Sequence, residues 1–402
     1  MAWESKRLDE IATIQTGPFG SQLHQKDYVD VGIPIITVEH LGQYRIKRQN
    51  LPRVTSKDAN RLQKYSLLPG DIVFSRVGSV DQCSYVCEAE SGWLFSGRCL
   101  RVRPEESKAD PLFIYYSLNT VGLKNYIRAI AVGATMPSIN TAILSEIPIS
   151  VPALDEQHRI AEVLGSLDDK IAASQRTASL SREIARAVGE ATRTLASLGE
   201  LAVRNKRTVN PAKLGSNLVT HYSIPRFDSG SPALEPADAI KSNKMHVERA
   251  SVLVSKLNPD TPRVWSIPAP SGGPFPLAST EFIVLEPCGI NQSQLYAATL
   301  HPNFHQQLAS MVGGTSKSHQ RVKPEEMLNC VVPDVRTLPT TQVELLETVV
   351  QIEDKAIREA ETLAKTRDEL LPLLMSGKIT VKEASQEAAA VGAQIPSKEN
   401  EV

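Results

Sequence analysis

The sequence predicts an α+β protein built as an internal pseudo-two-fold repeat. A globular domain of mixed strands and helices leads into a long helix, and the same plan then repeats. Three observations predict this. The stretch LDEQHRIAEVLGSLDDKIAAS, from Leu154, returns from Leu338 as LPTTQVELLETVVQIEDKAIREA. An ungapped offset of 185 lays Gln157 on Gln342, Ile160 on Leu345, Leu164 on Val349, Leu167 on Ile352, Asp169 on Asp354 and Lys170 on Lys355. Self-similarity of that kind marks a tandem duplication. The second observation is the spacing inside each copy: Ile160, Leu164, Leu167 and Ile171 in the first, and Leu345, Val349, Ile352, Leu363 and Leu370 in the second, lie on a 3.5-residue period. That period predicts a coiled-coil seam along two long helices. The third is the text between the helices, where short β-branched runs alternate with Gly- and Pro-bearing turns.

The chain has 402 residues, 41% of them hydrophobic, enough for two or three cores. It contains no run of eighteen apolar residues, and MAWESKRLDE at the start is charged, so a soluble cytoplasmic protein with no membrane contact is expected. Five scattered cysteines fit reduced thiols better than a disulfide framework. The net charge is −1, but residues 41–64 hold Arg45, Lys47, Arg48, Arg53, Lys57, Arg61 and Lys64 against Asp58 alone. A basic patch in a neutral protein is a local footprint for a polyanion, although an ordinary solvated surface has the same composition.

Residues 1–152 form the first predicted domain. RLDEIATIQTGPFGSQL opens it, IPIITVEHLG and LLPGDIVFSRVG read as strands, and RCLRVRP closes the strand-rich part. PLFIYYSLNTVGLKNYIRAI then reads as one amphipathic helix starting at Pro111, with the loop VGATMPSIN after it. The first long helix is expected over 153–198, with small residues such as Ser174, Ser181 and Ala185 along the later part of its seam. The second domain, 199–337, repeats the plan with weak identity: ERASVLVSK stands for PGDIVFSR, so Lys256 occupies the place of Arg76. QLYAATLHPNFHQQLASM is its amphipathic helix and VGGTSKSHQ its loop. The second long helix covers 338–377 and stops at Gly377; residues 378–402 are expected to be a disordered tail.

No catalytic constellation emerges. Asp168, Asp169, Lys170 and Glu353, Asp354, Lys355 resemble part of a nuclease motif, but on continuous helices they read better as solvated faces. Gly313 to Ser318 lacks the glycine that a phosphate loop needs before its lysine. Cys83, Cys87 and Cys99 lack the second pair of a zinc site, so no metal is expected. Asn210-Pro211 and Asn258-Pro259 continue into Ala and Asp, which excludes an adenine-methyltransferase tetrad. His40 and His221 have no nucleophile beside them in sequence.

The strand-to-helix junction IPISVPALDEQHRIAEVLGSLDDKI, the segment LLPLLMSGKI, and the stretches LPGDIVFSRVGS and RLDEIATIQTGPFGS resemble the specificity subunits of type I restriction-modification systems. The resemblance runs from Leu8 to Ile379 and departs from the family at residues 338–342. It implies that the globular domains are target-recognition domains, each reading half of a split asymmetric site on double-stranded DNA, with the two long helices packed antiparallel as the spacer. It implies no activity and no cofactor in the chain itself. Two modification subunits would bring S-adenosylmethionine for adenine-N6 methylation. Two restriction subunits, where the system cleaves, would bring ATP and Mg²⁺. On that reading Arg45, Lys47, Arg48, Arg53, Arg61 and Lys64 are phosphate contacts. Arg76, Lys256, the loop with Thr135, Ser138 and Asn140, and the loop with Thr315, Ser316, Lys317, Ser318, His319 and Arg321 are candidates for groove contacts. The competing reading is a coiled-coil adaptor whose globular domains bind proteins.

Overall fold

The computed structural model describes residues 3–20, 22–270, 273–312 and 320–393. The chain divides into two compact units, one made of Met1–Lys170 with Leu363–Val402 and the other of Ile171–Thr362. Each unit therefore owns one globular domain and a half of each long helix.

In the first unit an antiparallel four-stranded sheet runs in the order Ala12–Thr16, Cys99–Pro104, Ile72–Ser75, Cys83–Tyr85. Ile72, Val73 and Phe74 are all buried, because both faces of this β-branched strand are covered. A second four-stranded sheet carries Tyr28–Val29, Arg53–Val54, Ile33–Ile36 and Leu94–Phe95. Its core gathers Ile35, Ile36, Leu41, Val54, Leu94 and Phe95. A two-stranded ribbon, Glu4–Arg7 with Pro148–Val151, delivers the chain into the long helix.

The second unit repeats this. Its four-stranded sheet is Ala202–Asn205, Phe282–Pro287, Ser251–Ser255, Val264–Ile267, and Val252 faces Leu285 as Ile72 faces Val102. A five-stranded sheet replaces the second sheet, and the ribbon Leu195–Ser197 with Val331–Pro333 leads to the other long helix.

The long helices span Leu154–Glu190 and Thr340–Met375, each roughly 55 Å at 1.5 Å per residue. Inside the second unit, Ser174 bonds Glu359 while Arg182 bonds Glu353, so the two segments run antiparallel there. The first helix ends at Glu190, short of the expected residue 198, because Leu195 has joined the strand that begins the next domain.

Four further expectations are corrected. Each amphipathic helix is two helices. Pro111–Asn119 stops where Thr120 caps Val121–Ile130 by accepting from the Leu123 N–H, and Gln292–Thr299 stops before Pro302, which opens Pro302–Ser310. Part of the tail is ordered as the helix Val381–Ala390, started by a reciprocal Thr380–Glu383 cap and burying Ala384 and Ala388. Gly377 does end the long helix, at φ 65°, a conformation that disfavours any side chain. Leu345 and Ile352 are 43% exposed and do not lie in the seam. Apart from Val350 beside Val349, the buried positions are Leu346, Val349, Glu353, Ala356, Ala360, Leu363, Arg367, Leu370 and Leu374, which keep the heptad spacing one residue later at every other step. Finally, Asp168 and Glu353 are not solvated: they are 3% and 4% exposed.

Candidate nucleic-acid interface

Each unit builds the same corner after the third strand of its four-stranded sheet. Ser75 ends Ile72–Ser75, and its Oγ donates to the Val77 carbonyl at 2.9 Å. Ser255 ends Ser251–Ser255, and its Oγ donates to the Leu257 carbonyl at the same distance. The next residue is the basic one, Arg76 or Lys256. Its N–H donates to a neighbouring strand end, at the Arg98 carbonyl (2.9 Å) or the Glu281 carbonyl (3.0 Å). Its carbonyl accepts from Ile139 or Val322, both at 3.0 Å. The second loop thus closes on the basic residue in both units: the Gly78 N–H donates to the Pro137 carbonyl at 2.8 Å, and Asn258 to Gln320 at 2.9 Å. Arg76 and the loop of residues 132–140 lie far apart in the sequence, and the fold brings them together, as it does Lys256 with Arg321.

Within the first loop the roles divide. Thr135 is exposed, the Ser138 hydroxyl donates to the Val132 carbonyl at 3.2 Å, and the Asn140 side chain caps Thr141–Ser145 by accepting from the Ile143 N–H at 2.9 Å. Asn140 therefore serves a helix start. In the second unit Arg321 forms a two-pronged pair with Glu281, at 2.9 and 3.0 Å. Thr315, Ser316, Lys317, Ser318 and His319 lie outside the described residues.

The basic stretch is less open than its composition suggests. Arg45 bonds Asp169 on the long helix and the Cys87 sulfur, over the Tyr44 ring. Arg48 pairs with the buried Glu90 and lies near Trp93. Arg53 donates to the Gly32 carbonyl at 3.0 Å, Arg61 to Asp58 and to the Gln22 carbonyl, and Lys64 sits 4.8 Å over the Tyr65 ring. Of the six, Lys47 alone projects without such a partner among the described residues, at the edge of a cavity of about 1010 Å³.

Sequence reasoning missed the polar cluster buried in each unit. In the first, Asp168 accepts from the Tyr116 hydroxyl at 2.7 Å on one oxygen and from Arg367 at 2.5 Å on the other. In the second, Glu353 accepts on one oxygen from the Tyr296 hydroxyl at 2.8 Å and from Arg182 at 2.8 and 2.9 Å. Burial pushes the Asp168 carboxyl above its usual range, against the pull of Arg367. Burial opposes the charge of both arginines, yet Asp168 with Asp368, and Tyr296 with Glu353, more than offset it and hold the guanidiniums above their ordinary pKa. Tyr116 and Tyr296 lie in Pro111–Asn119 and Gln292–Thr299, so each cluster ties a short helix of the globular domain to both long helices of its unit. The signal was present, since the offset of 185 lays Asp168 on Glu353 and Arg182 on Arg367.

Among the described residues no cluster of three or more His, Cys, Asp or Glu is arranged to hold a metal. Burial pushes the Cys83 and Cys99 thiols up to about 12, far from the thiolate that binds zinc. No helix among the described residues is long and apolar enough to cross a membrane.

Residues 2–182 match the family model of the type I restriction modification DNA specificity domain. The chain is 31% identical over 174 residues to a putative type I restriction enzyme MjaX specificity subunit of Methanocaldococcus jannaschii, and 24% identical over 173 residues to the MjaVIII specificity subunit of the same organism. Each match takes in 42% of this chain and 40% of the relative, so the chain spans about two fifths of the length of the curated relatives it matches. A type I restriction-modification S subunit from M. genitalium aligns over 92% of this chain and 96% of its own, with a TM-score of 0.57 and 16% identity. The chain as a whole has that fold: two mixed domains and two long helices.

Proposed function

We propose that this chain is a non-catalytic DNA-recognition subunit. Each unit reads one half of a split, asymmetric site on double-stranded DNA, and the long helices that both units share set the spacing. The observation that carries the reading is the match of residues 2–182 to a DNA specificity domain, whose basic corner at Arg76 recurs in the same backbone frame at Lys256. Partner subunits supply the chemistry: two modification subunits methylate adenine at N6 with S-adenosylmethionine, and restriction subunits, where present, use ATP and Mg²⁺. The exposed side chains of Leu180, Ile184, Leu345 and Ile352 on the long helices offer apolar area for such partners. The complex works in the cytoplasm.

The test is a map of N6-methyladenine in the host genome with and without this gene. Loss of one split motif with a fixed spacer supports the reading, whereas an unchanged map overturns it. The protein-binding adaptor alternative predicts an unchanged map together with no sequence-dependent shift of duplex DNA.

A further inference from the structure

Phe19 is a large aromatic side chain held in the open on a rigid support. It is 51% exposed, in the loop between Ala12–Thr16 and the next helical turn. The support is a backbone-to-backbone contact with the loop before Cys99. A Cβ at Gly17 would meet the Ser96 carbonyl oxygen at 2.2 Å, and one at Gly97 would meet the Pro18 carbonyl oxygen at 2.4 Å. Neither position tolerates a side chain without the loops parting. The Arg76 guanidinium lies 4.8 Å over the Phe19 ring, covering one face and leaving the rest of the ring to solvent.

The surroundings fix the chemistry of what the ring meets. Phe19 edges the cavity of about 1010 Å³ that Lys47 and Arg98 also line. Arg76, Arg98 and Lys47 make no ion pair with any described residue, whereas Arg45, Arg48 and Arg61 are tied to carboxylates. The cavity's one carboxylate, Glu39, is hydrogen-bonded by the Thr37 hydroxyl at 3.1 Å. Val132 and Met136, in the loop joined to Arg76, are exposed as well. An aromatic ring ringed by unpaired cations suits a surface that offers flat aromatic faces among phosphates. The second unit has no counterpart: the stretch aligned with Thr16-Gly17-Pro18-Phe19 reads Lys206-Arg207-Thr208-Val209.

We propose that Phe19 is a specificity-determining residue that inserts its exposed ring at a base step of the first domain's half-site, partly unstacking the step and packing on the base it uncovers, while Arg98 and Lys47 take the flanking phosphates. The inference rests on the DNA-recognition reading above. The test uses the full chain, alone and with a modification subunit bound, and a duplex carrying the split motif recovered from the methyladenine map. Base–aromatic stacking of about 1–3 kcal/mol converts to a loss of affinity of about 5- to 150-fold for Phe19→Ala. Phe19→Tyr should stay within about threefold of wild type. The salt dependence of binding should not change in Phe19→Ala, while Arg98→Ala and Lys47→Ala each lower its slope by about 0.9. A 2-aminopurine placed in the half-site read by the first domain should change fluorescence on binding to wild type and not to Phe19→Ala. One placed in the other half-site should respond equally to both. Binding by Phe19→Ala equal to wild type, or a loss that Phe19→Tyr does not restore, overturns the proposal. Failure of the wild-type chain to prefer its motif would instead sink the DNA-recognition reading.

Discussion

The buried cluster of the first unit and that of the second use the same three kinds of side chain and distribute their hydrogen bonds differently. Asp168 gives one oxygen to Tyr116 and the other to Arg367. Glu353, one methylene longer, collects Tyr296 and both Arg182 contacts on a single oxygen, and its other oxygen is buried with no partner among the described residues. The arginines differ too: the Arg367 side chain is buried, whereas that of Arg182 is 36% exposed and packs near the Phe227 ring. The first cluster is buried and fully paired. The second has a more exposed arginine, and its carboxylate is over-supplied at one atom and short at another. A buried ion pair adds little net stability over an apolar pair of the same shape, but breaking one is expensive because the remaining charge has no water. The two clusters should therefore respond unequally to the same substitution.

The largest difference is expected on removing the arginines. Arg367→Ala strands the Asp168 carboxylate in the core of the first unit and should cost about 3–5 kcal/mol. Arg182→Ala should cost less, about 2–3 kcal/mol, since solvent already reaches that guanidinium. Urea midpoints report the two units separately through tryptophan fluorescence once the other unit's tryptophans are replaced by phenylalanine: Trp3 and Trp93 lie in the first unit and Trp265, packed on Tyr222 and Phe227, in the second. Equal losses in the two units would remove the distinction drawn between the clusters.

Deleting the tyrosine hydroxyls sharpens the same contrast at smaller scale. Tyr116→Phe leaves one buried oxygen of Asp168 without a donor and should cost about 1.5–3 kcal/mol. Tyr296→Phe leaves the bonded oxygen of Glu353 still held by Arg182, so about 1 kcal/mol is expected. If Tyr296→Phe proved the more damaging change, Glu353 would depend on the hydroxyl more than its bonding pattern indicates.

The clusters also show how far the sequence could be read. The repeat, both long helices, the strands at IVFS and SVLVS, and the alignment of Arg76 with Lys256 follow from periodicity and from the offset between copies. The seam of the second helix was half missed, because Leu345 and Ile352 offered apolar residues on the right period while the buried places beside them hold Leu346 and Glu353. Hydropathy cannot tell a solvated charge from one whose partner lies 171 or 199 residues away, as Glu353 and Asp168 have in Arg182 and Arg367. Those partners become visible only when the two copies are compared position by position. Phe19 went unnoticed for a related reason. Its loop was legible as a turn, but its exposure depends on contacts with Ser96 and Gly97, which no local pattern encodes.

Acid should act on the second unit in a way the first does not share. His305 lines a cavity of about 590 Å³ with Arg182, Glu183, Arg186 and Asp260. Burial lowers its imidazole pKa to about 4, with a hydrogen bond at Thr299 opposing and His301 assisting. An unfolded histidine takes its proton near pH 6.5, so between about pH 6.5 and 4 the unfolded state binds more protons than the folded one. The stability from neutral His305 is therefore complete above about pH 6.5 and is lost as the pH falls toward 4, by about 2–3 kcal/mol. Asp168 has the opposite sign: burial raises its carboxyl, so mild acidification takes no stability from the first cluster. The comparison to make is wild type against His305→Gln, followed at Trp265 by urea unfolding at pH 8 and at pH 5. The variant should lose less than wild type between the two conditions, with the Trp93 transition the same in both proteins. An equal loss at Trp265 would mean that the acid sensitivity of the second unit lies elsewhere than in the cavity beside Arg182.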